Sequence, residues 1–226
     1  MTTAPPALAG LGNIDWDDTG SILARCVPAF DAITPAVLDA LLETLLADPR
    51  LQAMCERYDF LDQLVLHDMP DAGVRIRLHL YRDGYYDRPH NHRWSFASRI
   101  ICGQYGHRIF GTDDAFTEDT DPATLRPLCE RTETPGSTYA LHHASVHTVQ
   151  ASGGTISLLI RGPAAKDRFL ILDRADGGSF WAYGAASETP QQRASKVMAP
   201  PVLLAATERA RVLTGLATST TREAPT

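Results

Sequence analysis

Between Val74 and Tyr81 apolar and polar side chains alternate without a break. Val74, Ile76, Leu78 and Leu80 fall on one side of an extended backbone. Arg75, Arg77, His79 and Tyr81 fall on the other, because strand side chains point to opposite faces in turn. One face therefore suits an apolar core, and the other is polar enough to line a cavity. From 61 to about 183, further short runs show period-two alternation or continuous β-branched content. Turn signals separate them at Asp83-Gly84, Pro135-Gly136, Gly153-Gly154 and Asp176-Gly177-Gly178. Many short strands with regular turns predict a mainly β domain, a sandwich or a barrel.

Helical periodicity is confined to the flanks. Thr34-Pro35 reads as an N-cap and first helical residue, followed by Val37, Leu38, Leu41, Leu42 and Leu45 at helical spacing. Asp48-Pro49 starts a second helix in the same way, expected to end near Arg57-Tyr58. Residues 1 to about 14 are small, apolar and rich in Pro and Gly, and read as a loose arm. Pro200-Pro201 introduces a helix expected over 202–216, and the last ten residues read as disordered. The expected organisation is an arm and helices packing on a barrel (1–58), the barrel itself (59–185), and a C-terminal helix and tail (186–226). A chain of 226 residues suits one domain with such additions.

Charge narrows the partners. The net charge is −6, only Lys166 and Lys196 are lysines, and the arginines are scattered. Neither nucleic acid nor an anionic membrane surface is an expected partner. No apolar run approaches the roughly 18 residues that span a bilayer. The segment Met1-Thr2-Thr3-Ala4-Pro5-Pro6 has neither a basic nor an apolar leader region. Cys26, Cys55, Cys102 and Cys129 form no CxxC pair. These features together read as a cytoplasmic protein with reduced thiols. The C-terminal helix is a candidate homodimer element.

Chemistry concentrates at histidine. His90, His92, His107, His142, His143 and His147 all lie in the middle of the chain. On a strand, His90 and His92 of His90-Asn91-His92 share a face and can bind one metal ion. His147, within Val146-His147-Thr148-Val149, supplies a third imidazole from a neighbouring strand. His142 and His143, in the approach turn Leu141-His142-His143-Ala144-Ser145, are alternative third ligands.

The surrounding pattern resembles the cupin superfamily. His90-Asn91-His92 is followed by Arg93-Trp94-Ser95, then by Phe96 where that motif usually carries glutamate, and six residues later by Gly103. The stretch 141–149 resembles the second cupin motif, without its usual proline and glycine. The resemblance implies a double-stranded β-helix, or jelly roll, with a metal ion held by His90, His92 and His147 in the barrel mouth. Within cupins the chain resembles the cysteine dioxygenase-like thiol dioxygenases, over about 35–172. This likeness includes the helical preface, Asp48-Pro49, and Ser157-Leu158-Leu159 after the last ligand. It implies Fe(II) with three neutral imidazoles, an anionic chelating substrate such as a thiolate, and dioxygen. Three histidines fit a 2-oxoglutarate oxygenase poorly, since that class wants two histidines and a carboxylate.

The chain departs from that branch around the substrate. Phe60-Leu61-Asp62-Gln63, where those enzymes place a carboxylate-binding arginine, contains none. Leu159 and Arg161 stand at the His and Tyr positions of their Ser-His-Tyr set, and Ala97 at their cross-link cysteine. The metal site carries over and the substrate site does not. Arg161 is a candidate replacement clamp, because guanidinium binds carboxylate in a bidentate fork. Arg75, Arg77 and His79 are candidate substrate-binding residues on one strand face, and Phe96 is expected to keep the metal pocket dry. Tyr105 and His107 are candidates for acid/base work or for hydrogen-bonding behind the ligands. Tyr81, Tyr85 and Tyr86 lie near the HxH loop. Three function classes remain open: an Fe(II) oxygenase, a non-redox cupin enzyme (isomerase, lyase or hydrolase) using Zn, Mn or Ni as Lewis acid, and a ligand-binding cupin without catalysis.

Overall fold

The computed structural model describes residues 8, 10–83, 88–172, 178–184 and 187–216. Tyr85, Tyr86 and the last ten residues lie outside this set. The expected loose arm is packed from residue 8 onward: Leu8 and Leu11 are fully buried in the main core. A helix that periodicity had not singled out follows, α1 (Thr19–Ala32). Asp18 caps it by accepting from the amides of Gly20 (2.9 Å) and Ser21 (3.2 Å). Helix α2 (Pro35–Ala47) begins at Thr34 as the sequence predicts, and buries Leu38, Leu41, Leu42 and Leu45.

The Asp48-Pro49 helix is shorter than expected. α3 spans only Pro49–Gln52, and Glu56–Arg57 is strand β1. Two contacts draw the backbone away from the helix. Cys55 Sγ accepts from the Val65 amide at 3.2 Å, and the Arg57 guanidinium grips the buried Asp62 carboxylate with two hydrogen bonds of 2.7 and 2.9 Å.

The remaining strands are β2 (Leu61–Met69), β3 (Val74–Tyr81), β4 (Phe96–Cys102), β5 (Tyr105–Thr112), β6 (Cys129–Glu133), β7 (Thr138–Leu141), β8 (Ser145–Ala151), β9 (Ile156–Arg161), β10 (Arg168–Ile171) and β11 (Phe180–Tyr183). One sheet runs β1-β2-β3-β9-β4-β7 and a second β6-β5-β8; β10 and β11 form a hairpin. His90 joins the second sheet to that hairpin by bridging both His147 of β8 and Ile171 of β10. The layers β3-β9-β4-β7 and His90-β8-β5-β6 then face each other, every pairing antiparallel. This order is that of a jelly roll, two Greek keys closed into a barrel.

The two faces of β3 divide as the alternation requires. Val74, Ile76, Leu78 and Leu80 point outward into the largest apolar cluster, shared with α1, α2 and the last helix. Arg75, Arg77, His79 and Tyr81 point into the barrel and line its cavity. A second apolar cluster, including Phe96, Ile100, Tyr105, Tyr139 and Leu159, packs inside the barrel, and Phe96, Tyr139 and Leu159 of it also line that cavity. The C-terminal region contributes α4 (Pro190–Lys196), closed by a Thr189–Gln192 capping box, and α5 (Pro200–Leu213). α5 buries Leu203, Ala206 and Ala210, and its Arg211 pairs with Asp39 of α2 at 2.9 Å. Leu204 and Val212 stay exposed. No single helix among the described residues is long and apolar enough to cross a membrane.

Candidate metal centre

His90 and His92 are not on a regular strand. His90 makes an isolated rung, its amide donating to the His147 carbonyl (2.8 Å) and the His147 amide donating back (2.9 Å). His92 is held by its own amide, which donates to the His143 carbonyl at 3.2 Å. Between them Asn91 is fully buried and faces the other way. Its side chain donates to Asp113 (2.7 Å) and accepts from the Leu170 amide (2.7 Å). Asn91 therefore pins the loop to β10 and leaves both flanking imidazoles turned to one side. Nothing in the sequence alone marked Asn91 or Asp113 for this task.

The three imidazoles meet. Ring centres are 4.6 Å apart for His90–His92, 4.9 Å for His90–His147 and 5.1 Å for His92–His147. One nitrogen from each lies within 4.8 Å of the other two. His142 and His143 are elsewhere, stacked on each other beside Asp17 and outside the cavity lining. His142 Nδ1 accepts the Ala144 amide at 3.2 Å, so its proton sits on Nε2, facing Asp17.

Hydrogen bonds behind the rings set the tautomers. His90 Nδ1 lies 2.7 Å from the Arg88 carbonyl, which can only accept, so Nδ1 holds the proton and Nε2 presents a lone pair. His147 Nδ1 lies 3.0 Å from His107 Nε2, and His107 Nδ1 lies 3.1 Å from a Glu133 carboxylate oxygen. The carboxylate takes the His107 Nδ1 proton. His107 Nε2 must then accept, and His147 donates from Nδ1 and leaves its Nε2 bare. That bare Nε2 accepts from His92 Nε2 at 2.9 Å, so without an ion His92 carries its proton there. Burial first, and neighbouring imidazole charge second, hold the pKa values of His92 and His147 well below the usual range. Imidazoles that meet at one point, two of them oriented by hydrogen bonds from behind, are what a divalent transition metal requires. The residues present fit such an ion.

The wall above the triad is aromatic. The Trp94 ring stacks on His92 at 4.8 Å, and Phe96 stands 4.9 Å from His92, edge-on. The cavity has a volume of about 760 Å³ and is lined by the triad, Trp94, Phe96, Arg75, Arg77, His79 and Arg161 among others. Tyr105 and His107 are not in its lining. Both are buried behind it, Tyr105 with its hydroxyl 2.6 Å from that of Tyr139 and His107 against His147. Glu133, the one buried residue of β6, is the functional neighbour that sequence reading missed. Its place depends on the β5–β6 register, which no motif announces.

No protein-family profile matches the chain, and no curated protein matches it. Among solved structures, an RmlC-like cupin from Shewanella frigidimarina is 16% identical, with 50% of this chain and 85% of that one covered at a TM-score of 0.38. The polyketide cyclase RemF from Streptomyces resistomycificus is 14% identical, with 53% and 75% covered at 0.38. KdgF from a Halomonas species is 12% identical, with 48% and 86% covered at 0.37. At these values the fold assignment rests on the strand order itself, which is that of a jelly roll with helices on its outer face.

Proposed function

We propose that the chain is a mononuclear non-haem Fe(II)-dependent oxygenase of the three-histidine, cysteine dioxygenase-like kind. It acts on a small chelating substrate, a thiol being the case its sequence resemblance implies. The observation that supports this reading best is the set of three imidazoles whose ring nitrogens meet within 4.8 Å of one another, with Phe96, not a carboxylate, beside them. Fe(II) bound by three neutral ligands keeps its full charge and supplies open positions where an anionic chelate and dioxygen can meet.

The chain's own residues do the rest. The Arg88 carbonyl orients His90, and the Glu133–His107 pair orients His147. His107 thus acts through the ligand as a positioning residue. Trp94 and Phe96 cover His92 and exclude water from that side, which strengthens electrostatic interactions inside the pocket. Tyr105 stands behind the cavity and touches its lining at the Tyr139 hydroxyl, 2.6 Å from its own.

The test is metal content of anaerobically purified protein, beside His90→Ala, His92→Ala and His147→Ala. The expected result is near-stoichiometric iron, lost in all three variants, with iron-dependent oxygen uptake on some member of a panel of chelating thiols, amines and acids. Bound zinc, manganese or nickel, with activity kept in the absence of oxygen, would move the protein to Lewis-acid chemistry. No metal after reconstitution with Fe(II) would defeat both enzyme readings.

A further inference from the structure

The barrel wall formed by β3 and β9 holds more positive charge than it pairs. In the antiparallel register Arg75 lies opposite Arg161, Arg77 opposite Leu159 and His79 opposite Ser157. Their side chains therefore form one stripe down two adjacent central strands. Arg75 has a counter-ion in Asp68, at 2.9 Å. Arg77 and Arg161 have no carboxylate partner among the described residues. Arg77 donates from Nη1 to the Gln63 amide oxygen at 3.1 Å, and Arg161 from Nη1 to the carbonyls of Gly73 (2.9 Å) and Gly162 (2.8 Å). The Nε atoms of both arginines and Nε2 of the buried His79 have no hydrogen-bond partner among the described residues.

Burial, reinforced by nearby guanidinium charge, pushes Arg161 down to about 9 and Arg77 to about 10, so both remain cations at neutral pH. Glu56 acts on Arg77 and Asp68 on Arg161 only from beyond ion-pair distance, and removing two guanidiniums from water without a contacting carboxylate is unfavourable, as is leaving three buried polar atoms unpaired. A ligand that brings negative charge and acceptor oxygens removes both costs together. The stripe also adjoins the metal centre. The Cζ atoms of Arg77 and Arg161 lie 5.3 and 6.0 Å from the centre of the Trp94 ring, the same ring that stacks on His92.

We propose that Arg77 and Arg161, with His79 beside them, form an oxyanion clamp. The cavity then takes a small two-ended molecule, with a carboxylate, sulfonate or phosphate at one end and a metal-chelating group at the other. The chelating end rests on the Fe(II) reading above; the oxyanion end stands without it.

Thermal unfolding of the full chain separates the two. Succinate, sulfate and phosphate serve as probes, with chloride at equal ionic strength as the control for general salt effects. The variants are Arg77→Met, Arg161→Met, their lysine counterparts, and His92→Ala. In wild type the unfolding temperature rises saturably with at least one probe, and the probe acting at the lowest concentration identifies the oxyanion. The rise is lost in both methionine variants, weakened about tenfold in half-effect concentration in the lysine variants, and kept in His92→Ala. Without probe, Arg77→Met unfolds at or above the wild-type temperature, since it removes an unpaired buried cation. An arginine there for structure alone would give the opposite sign. If a methionine variant fails to fold, its lysine counterpart decides. An unchanged probe response there, no saturable rise in wild type, or an equal rise in Arg77→Met overturns the clamp. A clamp response intact in a protein that binds no metal would sink the chelating end and leave the oxyanion end standing.

Discussion

At the scale of single residues, the sequence showed the three candidate ligands but not what holds them. His90, His92 and His147 were legible because HxH spacing puts two imidazoles on one side of an extended chain, and Val146-His147-Thr148-Val149 reads as a strand. Glu133 was not, because its role comes from a chain of contacts through His107 that only the β5 register creates. That chain makes a prediction. Glu133→Gln removes the charge that fixes the His107 proton while keeping the shape of the side chain. Metal affinity is expected to fall by about 10- to 100-fold, the usual effect of losing an outer partner of a histidine ligand. Metal titration against a competing chelator checks this, with folding verified by circular dichroism. An affinity equal to wild type would mean that His147 needs no such support. A second residue-scale prediction concerns Phe96, which is fully buried between His92 and Tyr139. Phe96→Ala is expected to cost about 3–5 kcal/mol of stability, as large core truncations do, read from urea unfolding.

At the scale of elements, the periodic signals were reliable where caps and apolar spacing agreed. Helix α2 has both, in Thr34-Pro35 and the leucines that follow. Helix α1 was hidden although Ile22, Cys26, Ala29 and Phe30 keep helical spacing, because Gly20, Ser21 and the internal Pro28 dilute the pattern. The end of α3 was misjudged for a different reason. Cys55 and Arg57 are claimed by β2 through tertiary contacts that outweigh local propensity. The caps themselves predict behaviour. Asp18→Ala and Thr34→Ala each remove a side-chain acceptor for helix amides, and each is expected to cost about 1 kcal/mol. For a chain of this size that lowers the unfolding temperature by about 2–4 °C per variant. The two caps serve different helices without a shared partner, so the double variant is expected to show the sum. A double variant much worse than the sum would show that α1 and α2 form as one unit.

At the scale of the whole molecule, the alternation of β3 revealed two faces but not what each would meet. The structure sends the apolar face outward to the helices and the polar face into the barrel. The helical layer is therefore what allows the barrel interior to be polar: the main apolar core lies outside it. One consequence is a titratable group enclosed at the centre of the protein. His79 is held down to about 3, by burial first and then by the Arg77 charge, whereas an unfolded chain protonates it near 6.5. Between these values the unfolded state binds a proton that the folded state refuses. Stability is therefore fully present above about pH 6.5 and is lost as pH falls below it, by up to about 1.4 kcal/mol per pH unit for this one group. His67, His92, His107, His143 and His147, all lowered by burial first, add loss of the same sign. Asp68 and Glu133 are also lowered, but their ordinary titration lies near pH 4, so their loss begins at lower pH. The interval from about pH 6.5 to 4.5 thus reports histidine. Metal-free protein is expected to lose unfolding free energy steadily across it, measured by urea titration, and His79→Gln is expected to reduce that slope by up to about 1.4 kcal/mol per pH unit, the share of one histidine. An unchanged slope in the variant would mean that His79 takes up its proton in the folded state, through an opening of the barrel at β3.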